Sequence, residues 1–233
     1  MAAYAAAASL LPGEGRVLDV GCGVGHSYDL LEPRETVGVD ASAQALAGQE
    51  RETHVADMRA LPFGDATFAS VACIQAIEHV PDPERALAEI ARVLEPGGTA
   101  VLITPNRLTF ARPDEIIDPY HYVEYAPAEL GARCAPHFGE VQMHGLFGSA
   151  RYLELVAAEH RRLDRLLARD PLRLRRLVPR RARQRLYDRL LAGARTQPDP
   201  RAREITAADF ELSDDGLDAC LDVVAVGVRA PGW

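Results

Sequence analysis

Between Arg16 and Ile103, short runs of β-branched and apolar residues alternate with helix-like stretches. That rhythm selects a parallel sheet, because parallel neighbours need a connection long enough to cross the sheet and a helix supplies it. Strands are expected at residues 17–20, 36–39, 54–56, 70–74 and 99–103. Ahead of the last of these, Asp82 can cap a helix with Pro83 at its first position, Leu87, Ile90, Ala91 and Leu94 on its buried stripe and Gly97 at its end. Two further strands are expected at 140–144 and 222–228, the second so apolar that both its faces should be covered. In the long gap between them, 151–168, 171–177 and 179–192 read as helices punctuated by prolines. The expected organisation is one α/β domain, 1–150 with 205–233, carrying a helical insertion at 151–204.

With 233 residues, 48% hydrophobic and 26% charged, the chain can bury one full core, and disordered, fibrous and membrane-spanning classes are excluded. The apolar run 2–11 is too short to span a bilayer and has no basic residue before it, so neither a signal peptide nor a membrane anchor is expected, and a cytoplasmic location is. Cys22, Cys73, Cys134 and Cys220 lie far apart without a CxxC pair, as structural thiols do. The net charge of -8 argues against nonspecific nucleic-acid binding by the whole surface. It conceals an asymmetry: residues 151–203 hold 16 Arg against 6 acidic residues, a charge of +10, which leaves -18 on the remainder. All 26 basic residues are Arg, so lysine chemistry such as Schiff-base formation is excluded.

The first strand runs into Asp19-Val20-Gly21-Cys22-Gly23-Val24-Gly25, where glycines let backbone amides approach a nucleotide-type ligand. Dinucleotide-binding folds use GxGxxG at the same place; here the spacing is GxGxG, with a carboxylate two residues before the first glycine. Asp19 would repel a pyrophosphate but attract an ammonium group, which favours a ligand with an aminoacyl end. Asp40, nineteen residues after Gly21, can accept from both hydroxyls of a ribose, and Asp57 can take the exocyclic amine of an adenine. Ordinary capping aspartates around a glycine turn are the plainer reading.

At this point VLDVGCGVG, VGVDAS, ADMRALPF, IEHVPDPERALAEIARVLEPGG and TPNR resemble, in order, the motifs of class I S-adenosylmethionine-dependent methyltransferases of the type 11 group. The resemblance is continuous over 16–107 and looser to about 146 and at 205–229. It implies a Rossmann-like seven-stranded sheet whose antiparallel seventh strand slips between the fifth and sixth, with the insertion between strands six and seven. It also implies S-adenosylmethionine across the strand tips: Asp19, Gly21 and Gly23 at the methionyl end, Asp40 and Ala41 at the ribose, Asp57 and Met58 at the adenine, and Ile74 at the end of the fourth strand. Cys22 would be there because it is small, and Gly25 can serve helix packing instead.

The sulfonium methyl is already electrophilic, so an enzyme of this kind has to align the acceptor and, for a hydroxyl, remove its proton. Candidates lie after the fourth strand in Gln75-Ala76-Ile77-Glu78-His79 and after the fifth in Asp118-Pro119-Tyr120-His121-Tyr122; His144 is a further base. The small-RNA 2′-O-methyltransferases are distantly similar: they carry Glu-x-x-Glu-His, TPN and a later His, and this chain has Gln75, Glu78, His79, Thr104-Pro105-Asn106 and His121 before Glu124. In that group two Glu and two His bind a divalent ion that grips a vicinal diol. Gln75 keeps an oxygen donor there but loses a charge, which weakens Mg²⁺ or Mn²⁺ binding. Without a metal, Glu78, His79 and His121 would be pocket or acid/base residues.

On the insertion, Arg180, Arg181, Arg183, Arg185 and Arg189 suggest a positive face, with Leu186, Leu190 and Leu191 on the buried side. It would form a lid over the acceptor or a homodimer surface. With Phe110, Tyr120, Tyr122 and Tyr125 available for stacking, the expected acceptor is a small hydroxylated molecule, a sugar or glycoside. The alternatives are an RNA ribose 2′-O-methyltransferase and a noncatalytic module that only binds the cofactor.

Overall fold

The computed structural model describes residues 1–26, 28–110, 112, 114–170, 173–195 and 200–232. The chain runs α1 (Ala2–Leu10), β1 (Arg16–Val20), β2 (Glu35–Asp40), α2 (Ala43–Leu46), β3 (Thr53–Val55), β4 (Phe68–Ile74), α3 (Pro83–Val93), β5 (Leu94–Pro105), α4 (Pro127–Cys134), β6 (Glu140–Gly148), α5 (Ala150–Leu167), α6 (Arg180–Arg195), β7 (Phe210–Ser213) and β8 (Asp222–Val228). The strands form one sheet in the order β3-β2-β1-β4-β5-β8-β6-β7. Strands β1 to β5 pair in parallel, and β8 runs antiparallel between β5 and β6. This is the Rossmann-like arrangement expected from the sequence, with one strand more: β7 pairs antiparallel with β6 and makes the count eight.

Alternation along the strands sorts side chains onto two faces. Leu18, Val20, Val37, Val39, Val71 and Cys73 meet Leu87, Ile90 and Val93 of α3 and Leu130 and Cys134 of α4. On the other face, Val17, Leu31, Ala72, Ile74, Val101, Ile103 and Val224 pack under Ala6 and Ala7 of α1. Asp82 caps α3 by accepting from the Arg85 amide, and Pro83 occupies the first turn, where its missing N–H costs nothing. The helix ends at Val93, not at Gly97; Gly97 lies within β5 with φ +79°.

Three further expectations change. β6 continues four residues beyond His144. The helix expected at 171–177 is a short 3-10 turn, Leu174–Leu177; Pro171 and Leu172 lie outside the described residues. Leu186 is 59% exposed, not buried, while the side chains of Leu190 and Leu191 lie outside the described residues. The side of α6 turned inward instead carries Arg180, Gln184 and Tyr187, which bond to the segment 118–120. Among the described residues no helix is long and apolar enough to cross a membrane.

Candidate active site

A cleft of about 410 Å³ opens at the carboxyl ends of the strands, where open α/β sheets bind their ligands. Its lining brings together Gly21, Asp40, Ala41, Asp57, Met58, Gln75 and His79 with Arg59 and Tyr122. Asp19, Cys22, Gly23, Ile74, Glu78, His121 and His144 are not part of that lining.

The glycine loop is built for close approach. Gly21 has φ +74°, and a Cβ there would overlap that of Ala76, so the turn after β1 can lie against the segment after β4 only without a side chain. Nothing lies within 4 Å of where a Cβ of Gly23 would be, and its φ of +54° again favours glycine. Asp40 fixes the loop: Oδ2 accepts from the Gly23 amide at 2.9 Å and Oδ1 from the Ser42 amide at 2.8 Å. Asp57 is held by a guanidinium two residues on, with Arg59 Nη2 2.6 Å from Oδ2 and Nε 3.0 Å from Oδ1. The Arg59 hydrogen bonds hold the Asp57 carboxyl below the usual carboxylate range.

Asp19 lies beneath the loop, fully buried, and both its oxygens are engaged. Arg51 Nη2 is 2.7 Å from Oδ2, and the Tyr4 hydroxyl donates to Oδ1 at 3.1 Å. Burial pushes the Asp19 carboxyl up, against the pull of Arg51 and Tyr4. Arg51 also stacks over Tyr28 at 4.4 Å and donates to Gln49 Oε1 at 3.0 Å, and Gln49 Nε2 donates to the Gly23 carbonyl at 2.8 Å. The acid read as an ammonium partner is thus already paired internally, by a residue 32 positions away that no motif marked.

Glu78, His79 and His121 come together: each offers one ligand atom, and those atoms all lie within 4.8 Å of one another. Glu78 follows β4 in a short 3-10 turn, with no solvent exposure. Its Oε2 accepts from the Thr104 hydroxyl at 2.9 Å, and its Oε1 is buried without a partner. Burial pushes its carboxyl up to about 7. The rings of His79 and His121 meet edge-on at 5.0 Å. His79 Nδ1 faces the Tyr120 carbonyl at 3.3 Å, and burial lowers its pKa below that of free histidine. His121 Nδ1 is 2.8 Å from the buried carboxylate of Glu124. Burial disfavours the His121 cation, but Glu124, Asp118 and Glu78 outweigh it and raise the pKa.

Gln75 does not join this group through its amide nitrogen. At φ +52°, a left-handed conformation, it donates Nε2 to Asp222 Oδ1 at 2.9 Å, across 147 residues of sequence. Asp222 opens β8 opposite Pro105 at the tip of β5, and burial pushes its carboxyl up to about 6. His144 sits inside β6, paired with Val224, away from the cleft.

α5, α6 and the turn between them bond to the segment after β5. Arg180 Nε and Nη2 donate to the carbonyls of Pro119 and Tyr120, both at 2.8 Å, and its guanidinium stacks 3.4 Å over Tyr122. Tyr187 donates to Asp118 at 2.9 Å and Tyr120 to Asp188 at 2.8 Å. Arg112–Asp164, Arg173–Asp114 and Arg175–Glu115 complete the seam. Several of the arginines therefore neutralise the chain's own acidic loop.

Comparison with known proteins agrees with this geometry. Residues 18–102 match the model of a methyltransferase domain family. A probable S-adenosylmethionine-dependent methyltransferase of Mycobacterium tuberculosis is 32% identical over 228 residues, 91% of this chain and 76% of the relative. A ubiquinone biosynthesis O-methyltransferase of Alkalilimnicola ehrlichii is 38% identical over 104 residues, 40% of this chain and 42% of the relative. The fold is that of a Thermotoga maritima protein described as a SAM-dependent methyltransferase, possible histamine N-methyltransferase, with TM-score 0.62 and 18% identity over 98% of this chain and 88% of that one. With the strand-tip cleft and the order of its motifs, these matches place the chain in the class I S-adenosylmethionine-dependent methyltransferases.

Proposed function

We propose that this methyltransferase acts on a hydroxyl of a small polyhydroxylated acceptor, a sugar or glycoside, bound where the cleft meets Glu78, His79 and His121. The convergence of one carboxylate and two imidazoles within 4.8 Å carries the reading. Gly21 and Gly23 receive the methionyl end of the cofactor, with Asp19 acting behind them through Arg51. Asp40 takes the ribose and Asp57 with Met58 the adenine.

The acceptor oxygen attacks the sulfonium methyl in line: the O–CH₃ bond forms, the S–CH₃ bond breaks, and S-adenosylhomocysteine leaves with the electron pair. The hydroxyl proton goes to His121 Nε2, since Nδ1 is held by Glu124 and the carboxylate stabilises the cation formed. His79, whose pKa is lowered by desolvation and whose Nδ1 faces the Tyr120 carbonyl, orients the hydroxyl. Because the Gln75 amide nitrogen donates to Asp222, the Oε1 of Gln75 is left to accept from the substrate. A hydroxyl-rich acceptor meets that requirement; a carboxylate does not. Phe110, tilted 5.3 Å from His121, and Tyr122 offer apolar faces to a sugar ring.

The donor set also suits a divalent ion, Mn²⁺ better than Mg²⁺ because of its two imidazoles, and the unpartnered Oε1 of Glu78 fits that role. Such an ion would be held by Glu78, His79 and His121; it would then occupy His121 Nε2 and, by lowering the pKa of the acceptor hydroxyl, would take the place of the imidazole base. Against an RNA acceptor, Arg173, Arg175 and Arg180 are committed to the chain's own groups.

The test is a panel of mono- and disaccharides and glycosides incubated with enzyme and cofactor, with and without EDTA and Mn²⁺. It reads S-adenosylhomocysteine and the methylated product by mass spectrometry. A methyl ether on a neutral polyol is expected. Turnover on RNA or on an amine, with none on any polyol, would overturn the reading.

A further inference from the structure

α6 grips the acceptor loop with one side and leaves the other to solvent. The outward side carries Arg181, Arg185 and Arg189 at four-residue spacing, all exposed and without a carboxylate partner among the described residues. Leu186 lies on the same side at 59% exposure. The turn that enters the helix exposes Leu174 at 57%, Leu177 at 81% and Val178 at 41%. Leucines so exposed among unpaired arginines form neither a packed face nor an ordinary solvated one.

We propose that this face docks peripherally on an anionic lipid bilayer. The leucines enter the acyl boundary while the arginines extend to lipid phosphates, as in amphipathic helices that lie in the interface plane. Charge sets the orientation: the stretch 151–203 carries +10 and the remainder -18, so an anionic surface attracts the insertion and repels the rest. A second copy is a poor occupant, because a two-fold interface would set this cationic face on itself. RNA is a poor one too, since the outward face has no aromatic side chain for stacking and Tyr187 turns inward to Asp118. The inference is independent of the acceptor's identity.

Cosedimentation tests it with the full chain and three probes: vesicles of equal parts phosphatidylglycerol and phosphatidylcholine, vesicles of phosphatidylcholine alone, and single-stranded RNA. Binding is expected to the first only, weakening with added salt. Arg181→Gln with Arg185→Gln should reduce it by roughly fivefold per arginine. Leu177→Gln with Leu186→Gln, which leaves the charge unchanged, should reduce it by at least about tenfold. S-adenosylhomocysteine affinity, unchanged in each variant, verifies folding. Absence of vesicle binding, binding indifferent to the leucine pair, or preference for RNA would each overturn the proposal.

Discussion

Replacing Glu78 with glutamine should stabilise the protein above neutral pH while removing turnover. The side chain has no solvent exposure, one oxygen on Thr104 and the other without a partner, and its carboxyl is pushed from 4.5 up to about 7. At 1.36 kcal/mol per pKa unit, that shift corresponds to about 3 kcal/mol. Below pH 4.5 the group is protonated in both states and its full contribution is present. As pH rises toward 7 the unfolded chain ionises while the native state keeps its proton, so stability drains away; above that the loss is complete. The amide of the Glu78→Gln variant has no proton to lose over this range. Urea denaturation followed by circular dichroism in EDTA, at steps from about pH 4.5 to 8, should therefore show the variant gaining about 3 kcal/mol on the natural protein. Added Mn²⁺ should restore the natural protein at pH 8 and do nothing for the variant. Parallel pH dependences in EDTA would refute the reasoning, since the burial of a carboxyl with one unpartnered oxygen would then carry no cost.

Asp40→Ala removes the acceptor of the Gly23 and Ser42 amides and should lower S-adenosylhomocysteine affinity on the order of 100-fold by titration calorimetry. His121→Ala should leave that affinity within about twofold and reduce kcat by roughly 10² or more, because it touches proton removal and not the cofactor. Gly21→Ala forces a Cβ onto Ala76 at a left-handed φ and should cost roughly 1–3 kcal/mol, read as a lowered Tm.

What the sequence made legible was local. The five parallel strands, the Asp82 cap and the glycine loop each depend on residues close together in the chain, so pattern alone located them. The fourth strand's tip and the segment after the fifth could be named as neighbours because both leave the same edge of the sheet. The parts that escaped depend on distant partners. β7 is four residues, FELS, whose apolar–polar alternation is too short to mark a strand, and it exists as one because β6 runs on to Gly148 and offers it an edge. Arg51 reaches Asp19, and Asp222 reaches Gln75, only once β3 and β8 have taken their places in the sheet. Leu186 misleads because α6 makes its inward contacts with Arg180, Gln184 and Tyr187; polar contacts with an acidic loop reverse the usual sense of an amphipathic stripe.

A crystal grown with S-adenosylhomocysteine and Mn²⁺ tests the site most directly. The adenosine should lie along Asp40, Asp57 and Met58, the thioether sulfur should face the Glu78, His79 and His121 cluster, and the ion should sit on those three side chains. A thioether turned away from that cluster, or an ion bound elsewhere with Glu78 Oε1 still unpartnered, would contradict it.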